Sequence, residues 1–234
     1  SSFRGLREVE FQSRLHGGVF LLVGQLPGDL IEESIHSLAS LLESISQEGL
    51  GETEEYMLAI WDRLWPTAVE CEVRDGTNPL NTAINHPAGK LAEVLVHLLR
   101  GRELTKEGGI EDDLQSRIEV ILNEEQEAAR LSRVVIASRL ALLHFSDPEW
   151  TEENVVPLFD WTSSDEARFA WSGYLWSPTM RPDLWPAMKS YFLSTFENLD
   201  QLRGEAQKSL AVLLAAISVE GKQTLTSDEA RDCL

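Results

Sequence analysis

The sequence predicts an all-α protein, an irregular array of about ten antiparallel helices forming a HEAT-like solenoid or a multi-helical bundle. Three observations predict it. Apolar residues recur three and four apart over segments of helical length. The segments are joined by connections of mostly about 3 to 8 residues, as in helical arrays. Proline, glycine and capping residues fall at the joints, and no convincing sheet pattern occurs. No fixed repeat consensus recurs, so solenoid and bundle both stay open.

In chain order, 6–26 is expected to be a helix containing Gly17 and Gly18. Its apolar run Val19 to Val23 would also suit a strand, but its surroundings favour a buried helix. Pro27-Gly28 breaks the chain, and Asp29 with Glu32 offers a capping pair for a helix to about Ser46. Its stripe is Leu30, Ile31, Ile35, Leu38, Leu41, Leu42 and Ile45, closed by Gly49. Thr53 is the cap of the next helix, with Met57, Ile60, Trp61 and Leu64 inward and Pro66 kinking or ending it.

After a loop at Asp75-Gly76-Thr77 comes the stretch on which the rest is organised, Asn78 to Arg100. Asn78-Pro79 and Asn85-His86-Pro87 each start a helix, because proline costs nothing at the first helical position. Ala88, Leu91, Ala92, Leu95, Leu98 and Leu99 form one apolar face, and Gly101 suits a left-handed C-terminal cap. Lys90 and Glu93 are spaced to pair on the wet face. Pro87 to Lys90 lacks the several glycines and following Ser or Thr of a phosphate loop, which favours a structural role over an anion site.

A polar connection, 102–109, leads to a helix marked by Ile110, Leu114, Ile118, Ile121 and Leu122. From Glu124 to about Phe145 one further helix is expected, apolar nearly all round in its second half and so buried on several sides. Asp147 to Trp150 is a turn, with Thr151 capping a short helix that carries Val155 and Phe159. Ser163 and Glu166 make a capping box for a helix ending near Trp176. Ala167, Ala170, Trp171, Tyr174 and Leu175 line one of its faces, and Phe169, Gly173 and Trp176 another. Pro178 and Pro182 bracket a loop before a helix from Asp183 with Leu184, Met188, Tyr191, Phe192 and Phe196. A long helix to about Val219 carries Ala206, Leu210, Leu213, Leu214 and Ile217, ends at Gly221, and precedes a frayed final helix.

At 234 residues the chain can bury an ample core. A single all-helical domain over 1–234 is expected, divisible into lobes 1–109 and 110–234, and its Ser1-Ser2 start suggests excision from a longer chain. The formal charge of −19, with 20 basic against 39 acidic residues, disfavours nucleic acid and anionic membranes as partners. No apolar run approaches the roughly 20 residues of a membrane-spanning helix. Cys71 and Cys233 are too few for a disulfide framework, which points to a reducing, cytoplasmic setting.

Three strings carry a resemblance: NTAINHPAGKLAEVLVHLL, DPEWTEENVVPLFDW and WSGYLWSP. They resemble a helical domain of unknown function in bacterial proteins that often carry a sirtuin-like module upstream and are linked to anti-phage defence. The resemblance covers roughly two thirds of the chain and is most specific in Asn85 to Glu93 and in the tryptophan pattern. It implies a sensing, regulatory or assembly module, with NAD chemistry in another part of the parent protein.

No catalytic residue, metal site or cofactor is expected within the segment itself. The five histidines lack zinc-protease spacing, and no Cys-x-x-Cys accompanies them. His144 near Asp147, with Ser146 beside them, lacks the Gly-rich elbow of a nucleophile. Most of the seven tryptophans are expected to build a dense core. Trp150 and Trp185, placed in loops, are the candidate anchors for a protein partner, since hot spots are enriched in tryptophan. The expected function is therefore a non-catalytic scaffold, sensor or oligomerisation domain that binds its own chain, sister subunits or a phage protein. The alternatives are a small-ligand site, with Lys90, Arg139 or Arg168 meeting an anion, and a structural spacer without a site.

Overall fold

Proline decides where many of the helices begin. In the computed structural model, which describes residues 17–48, 53–74, 78–202, 204–220, 225, 226 and 229, Pro79, Pro87, Pro148 and Pro186 lie in helical first turns. The helices are α1 (17–24), α2 (Gly28–Ser46), α3 (Glu54–Val69), α4 (Pro79–Asn85), α5 (Pro87–Gly101) and α6 (Asp112–Asn123). They continue as α7 (Glu127–Ala137), α8 (Leu140–Ser146), α9 (Pro148–Asn154), α10 (Ser164–Tyr174), α11 (Trp185–Glu197) and α12 (Glu205–Glu220). Short 3-10 turns occupy Val156–Phe159, Trp161–Ser163 and Leu199–Gln201. No strand occurs among the described residues, so the fold is all-α and multi-helical, as predicted.

Side-chain caps fix three of these starts. The Asn81 N–H donates to Asn78 Oδ1 at 3.2 Å, and the Trp150 N–H to Asp147 Oδ1 at 3.1 Å. His86 caps α5 through its ring, its Nδ1 accepting from the Ala88 N–H at 3.2 Å. That role needs an unprotonated Nδ1, and burial accordingly holds the His86 pKa below its ordinary value.

Several predicted ends move. The Asp29–Glu32 capping pair does not form, because α2 begins at Gly28 with Pro27 at the cap position. Pro66 neither ends nor interrupts α3, which runs on to Val69. Gly101 is the last residue of α5 at negative φ, not a left-handed cap. Asp147, not Thr151, caps α9, and Ser163 makes no capping bond, while the Glu166 side chain lies in ion pairs with Arg130 and Arg133. In α1, Phe20 and Val23 are buried but Leu21 and Leu22 are exposed, so the helix is one-sided. The expectations for 6–16, Gly49, Asp75-Gly76-Thr77, Gly221 and the final helix fall largely outside the described residues.

Helix α5 is the centre of the packing. The predicted stripe is buried, and so are Pro87, Gly89, Glu93, Val94 and Val96, leaving only Lys90, His97, Arg100 and Gly101 in contact with solvent. It packs most extensively against α2 and α7, and α7 in turn against α10. Trp61 of α3 stacks on Trp65 and donates its indole N–H to the Leu91 carbonyl at 2.9 Å. Farther on, Phe159, Trp171, Tyr174, Phe192 and Trp185 meet edge to face, so most of the tryptophans build the core as expected. The buried apolar side chains form one continuous cluster from Phe20 to Ile217.

Charge is spent on tying helices together. Arg102 donates to Glu54 of α3 and to Asp113 of α6, both at 2.5 Å, and to Glu111 at 3.0 Å. These bonds hold the Asp113 carboxyl below the usual aspartate range. A carboxyl lowered on folding stabilises the folded state above its unfolded value, about pH 3.9, and loses that contribution as pH falls through the lower folded value. Asp113 is 42% exposed, so the contribution is below about 1 kcal/mol. Urea midpoints at pH 7 and pH 3 should therefore differ less for Asp113→Asn than for wild type. An equal acid loss in both would remove this carboxylate from the account.

Candidate functional site

The helix expected from Glu124 to Phe145 is broken, and the break creates the site. Helix α7 stops at Ala137 and α8 starts at Leu140. Ser138 Oγ donates back to the Val135 carbonyl at 2.6 Å, taking a backbone acceptor in the way that favours helix ends. Arg139 then leaves helical geometry, at φ −111° and ψ 13°. Helix α10 presses on α7 just before this point, where Gly173 lies against the Val134 carbonyl. Leu175 is buried, and the next residue, Trp176, comes out of the surface with 65% of its area exposed.

Trp176 borders two hollows. One, of about 430 Å³, is lined by Arg168, Ser172, Pro79, Gln201 and Ser209 among others. The second, of about 170 Å³, is lined by Leu80, Ile84, Glu93, Ser138 and Arg139. Ile84 is itself 40% exposed, so an apolar pair sits between two arginines. Arg168 lies over the Phe169 ring, its Cζ 4.6 Å from the centroid, and meets Asp165 only at 3.8 Å. Arg139 reaches the buried carboxylate of Glu93 at 3.5 Å, while its enclosed Nε finds no acceptor among the described residues.

The candidates proposed from sequence are placed differently. Trp150 and Trp185 are not exposed anchors; both are buried, at 8% and 4%. The Asp147 cap draws Trp150 into α9, where its indole N–H donates to Glu119 Oε1 at 2.9 Å. Trp185 opens α11 and packs on Phe192. Lys90 does not pair with Glu93 but with Glu43 of α2 at 2.7 Å, and Glu93 instead faces His97 and Arg139. Arg139 and Arg168 do flank a common feature, and that feature is Trp176. The sequence put Trp176 on a helix face; its one signal for exposure was its place at the end of the helix, next to Ser177-Pro178.

No nucleophile is assembled around His144. Its Nε2 meets Glu152 Oε1 at 3.0 Å, Asp147 is used as the α9 cap, and buried Ser146 donates to the Leu142 carbonyl. Cys71 is a packed thiol whose pKa is raised by burial and then by Glu70. Among the described residues no three His, Cys, Asp or Glu side chains gather as metal ligands, and no helix is long and apolar enough to cross a membrane.

Fold and site define an all-α, multi-helical protein with one exposed tryptophan set between two arginine-bordered hollows. No family model, curated protein or solved structure matches the chain.

Proposed function

We propose that this chain is a non-catalytic protein-contact module and that Trp176, with the hollows on either side, is its contact face. The observation that carries this reading is the 65% exposure of Trp176 in a chain whose other tryptophans are packed far more closely. Covering such a ring releases a large apolar area, and tryptophan with neighbouring arginine is the composition of binding hot spots. The half-exposed Ile84 extends the apolar area, and Arg139 and Arg168 supply the polar rim.

The resemblance carried by Asn85 to Glu93 and by the tryptophan pattern supports a setting for this contact. In that setting the module holds a sirtuin-like, NAD-consuming effector of a bacterial defence protein on or off, through its own chain, a sister subunit or a phage protein. The test is binding of wild type and Trp176→Ala to a sirtuin-like module supplied in trans, with sedimentation velocity to follow self-association. Trp176→Ala should weaken the association at least about tenfold, a loss of about 1.4 kcal/mol or more. Its urea midpoint should stay close to wild type, because exposed substitutions usually change stability by less than about 0.5 kcal/mol. Association that survives the substitution unchanged would remove Trp176 from the interface.

A further inference from the structure

A third hollow, of about 190 Å³, shares Ser138 and Arg139 with the smaller of the two hollows beside Trp176. We infer that it is a binding site for a small oxyanion of the phosphate or phosphomonoester class, held by Arg100 and Arg139 with the hydroxyls of Tyr174, Ser177 and Thr179.

The lining carries the inference. In a chain with 39 acidic residues against 20 basic ones, this hollow is bordered by two arginines and four hydroxyls, and by no carboxylate. Arg139 has Glu93 as its partner, but only at 3.5 Å, and Glu93 borders the neighbouring hollow instead. The Arg100 side chain makes no ion pair or hydrogen bond among the described residues. Burial, and next the like charge of Arg139, push the Arg100 guanidinium below its ordinary value. The two guanidinium groups therefore repel one another at this hollow, with the single carboxylate of Glu93 acting on both. A dianion between them relieves that repulsion.

The donors complete the set. The Ser177 and Thr179 hydroxyls lie on the exposed loop after α10 and make no hydrogen bond among the described residues. Tyr174 has only a 3.9 Å contact with Met180 Sδ, and burial keeps its phenol protonated as a donor. Ser138, the fourth hydroxyl, already spends its proton on the Val135 carbonyl. Guanidinium forks with hydroxyl donors match the geometry of phosphate oxygens. Size sets the class: whole small-molecule ligands take about 300–1,000 Å³, so 190 Å³ admits an anionic group and not a nucleotide. Lys90 and Arg168, candidates from sequence, have no part in it.

The test is isothermal titration calorimetry of the full chain with inorganic phosphate, against sodium chloride of equal ionic strength. Saturable one-to-one binding is expected in wild type. Arg100→Gln should weaken it at least about tenfold, because it removes one of the two guanidinium groups facing the anion. Thr179→Val should weaken it several-fold, a change that a guanidinium serving only the α5 C-terminus does not predict. Both sites are exposed, so both variants should melt with wild type in chloride; Arg100→Lys, which keeps the charge, should recover part of the affinity. A second titration with glycerol 3-phosphate assigns the source. Tighter binding than inorganic phosphate marks the end group of a phosphorylated metabolite, and equal or weaker binding marks the free ion. No saturable heat in wild type, or affinity unchanged in both variants, overturns the site.

Discussion

Gly173→Ala is expected to destabilise the chain by about 3 kcal/mol or more, while Gly101→Ala, the same chemical change, is expected to stabilise it slightly. A Cβ on Gly173 would stand closer than 3.0 Å to the Val134 carbonyl oxygen and 3.1 Å from the Val134 carbonyl carbon and Cγ1. The oxygen and carbon are backbone, so no rotamer change clears them, and α7 and α10 must move apart. That opens a contact lined by Val134, Ala170 and Trp171, all essentially inaccessible. Overpacking a core costs about 1–3 kcal/mol when side chains can yield, and two backbones pressed together lie at or above the top of that range.

Against it stands the gain in helix propensity on replacing glycine, at most about 1 kcal/mol. At Gly101 nothing lies within 4 Å of the added carbon and φ is negative, so propensity alone should decide. Gly89, whose Cβ would meet the Ala83 carbonyl of α4, should behave like Gly173. Urea midpoints of the three variants check this. Shifts of one sign at Gly173 and Gly101 would mean that the α7–α10 contact is looser than described.

Arg133→Met is expected to cost about 3 kcal/mol, the usual scale for removing one partner of a buried ion pair. The Arg133 side chain is 9% exposed and forks onto Glu166 of α10 at 2.7 and 3.1 Å. Its Nη1 also donates to the Ile121 and Glu124 carbonyls at 3.2 and 2.9 Å, which closes the C-terminal end of α6. One guanidinium thus joins α6, α7 and α10. Without it Glu166 keeps only Arg130, at 3.5 Å, and the two carbonyls lose a donor. Adding Glu166→Leu should recover part of the loss, because the stranded carboxylate goes, but not all, because the carbonyls remain. A double-mutant cycle in urea measures the coupling. Strict additivity of the two substitutions would show that the pair contributes no mutual stabilisation.

The candidate site was less legible than the helices around it. The sequence marks Arg139 and Arg168, but it also marks Trp150 and Trp185 as rings placed in loops, and the fold encloses both of these. Nothing in Trp150 itself tells whether Asp147 will cap the helix and carry the ring inward. The Ser138–Arg139 break hides in a continuous apolar run, and without it neither arginine-lined hollow beyond Trp176 would take its present form. Arg100 carried no sequence signal beyond its place near the end of α5.

What the sequence by itself determined was local. Asn78-Pro79 and His86-Pro87 set helix starts, and the spacing of apolar residues set helical type, because both act through bonds and contacts reaching no farther than about four residues. The tertiary structure alone decided that α5 is buried on nearly all sides, that Lys90 pairs with Glu43, and that Trp176 is the ring left outside. The physical reason is that periodicity shows a helix has an apolar stripe. Which neighbours cover that stripe, and which charges they bring to its edges, depends on residues tens of positions away.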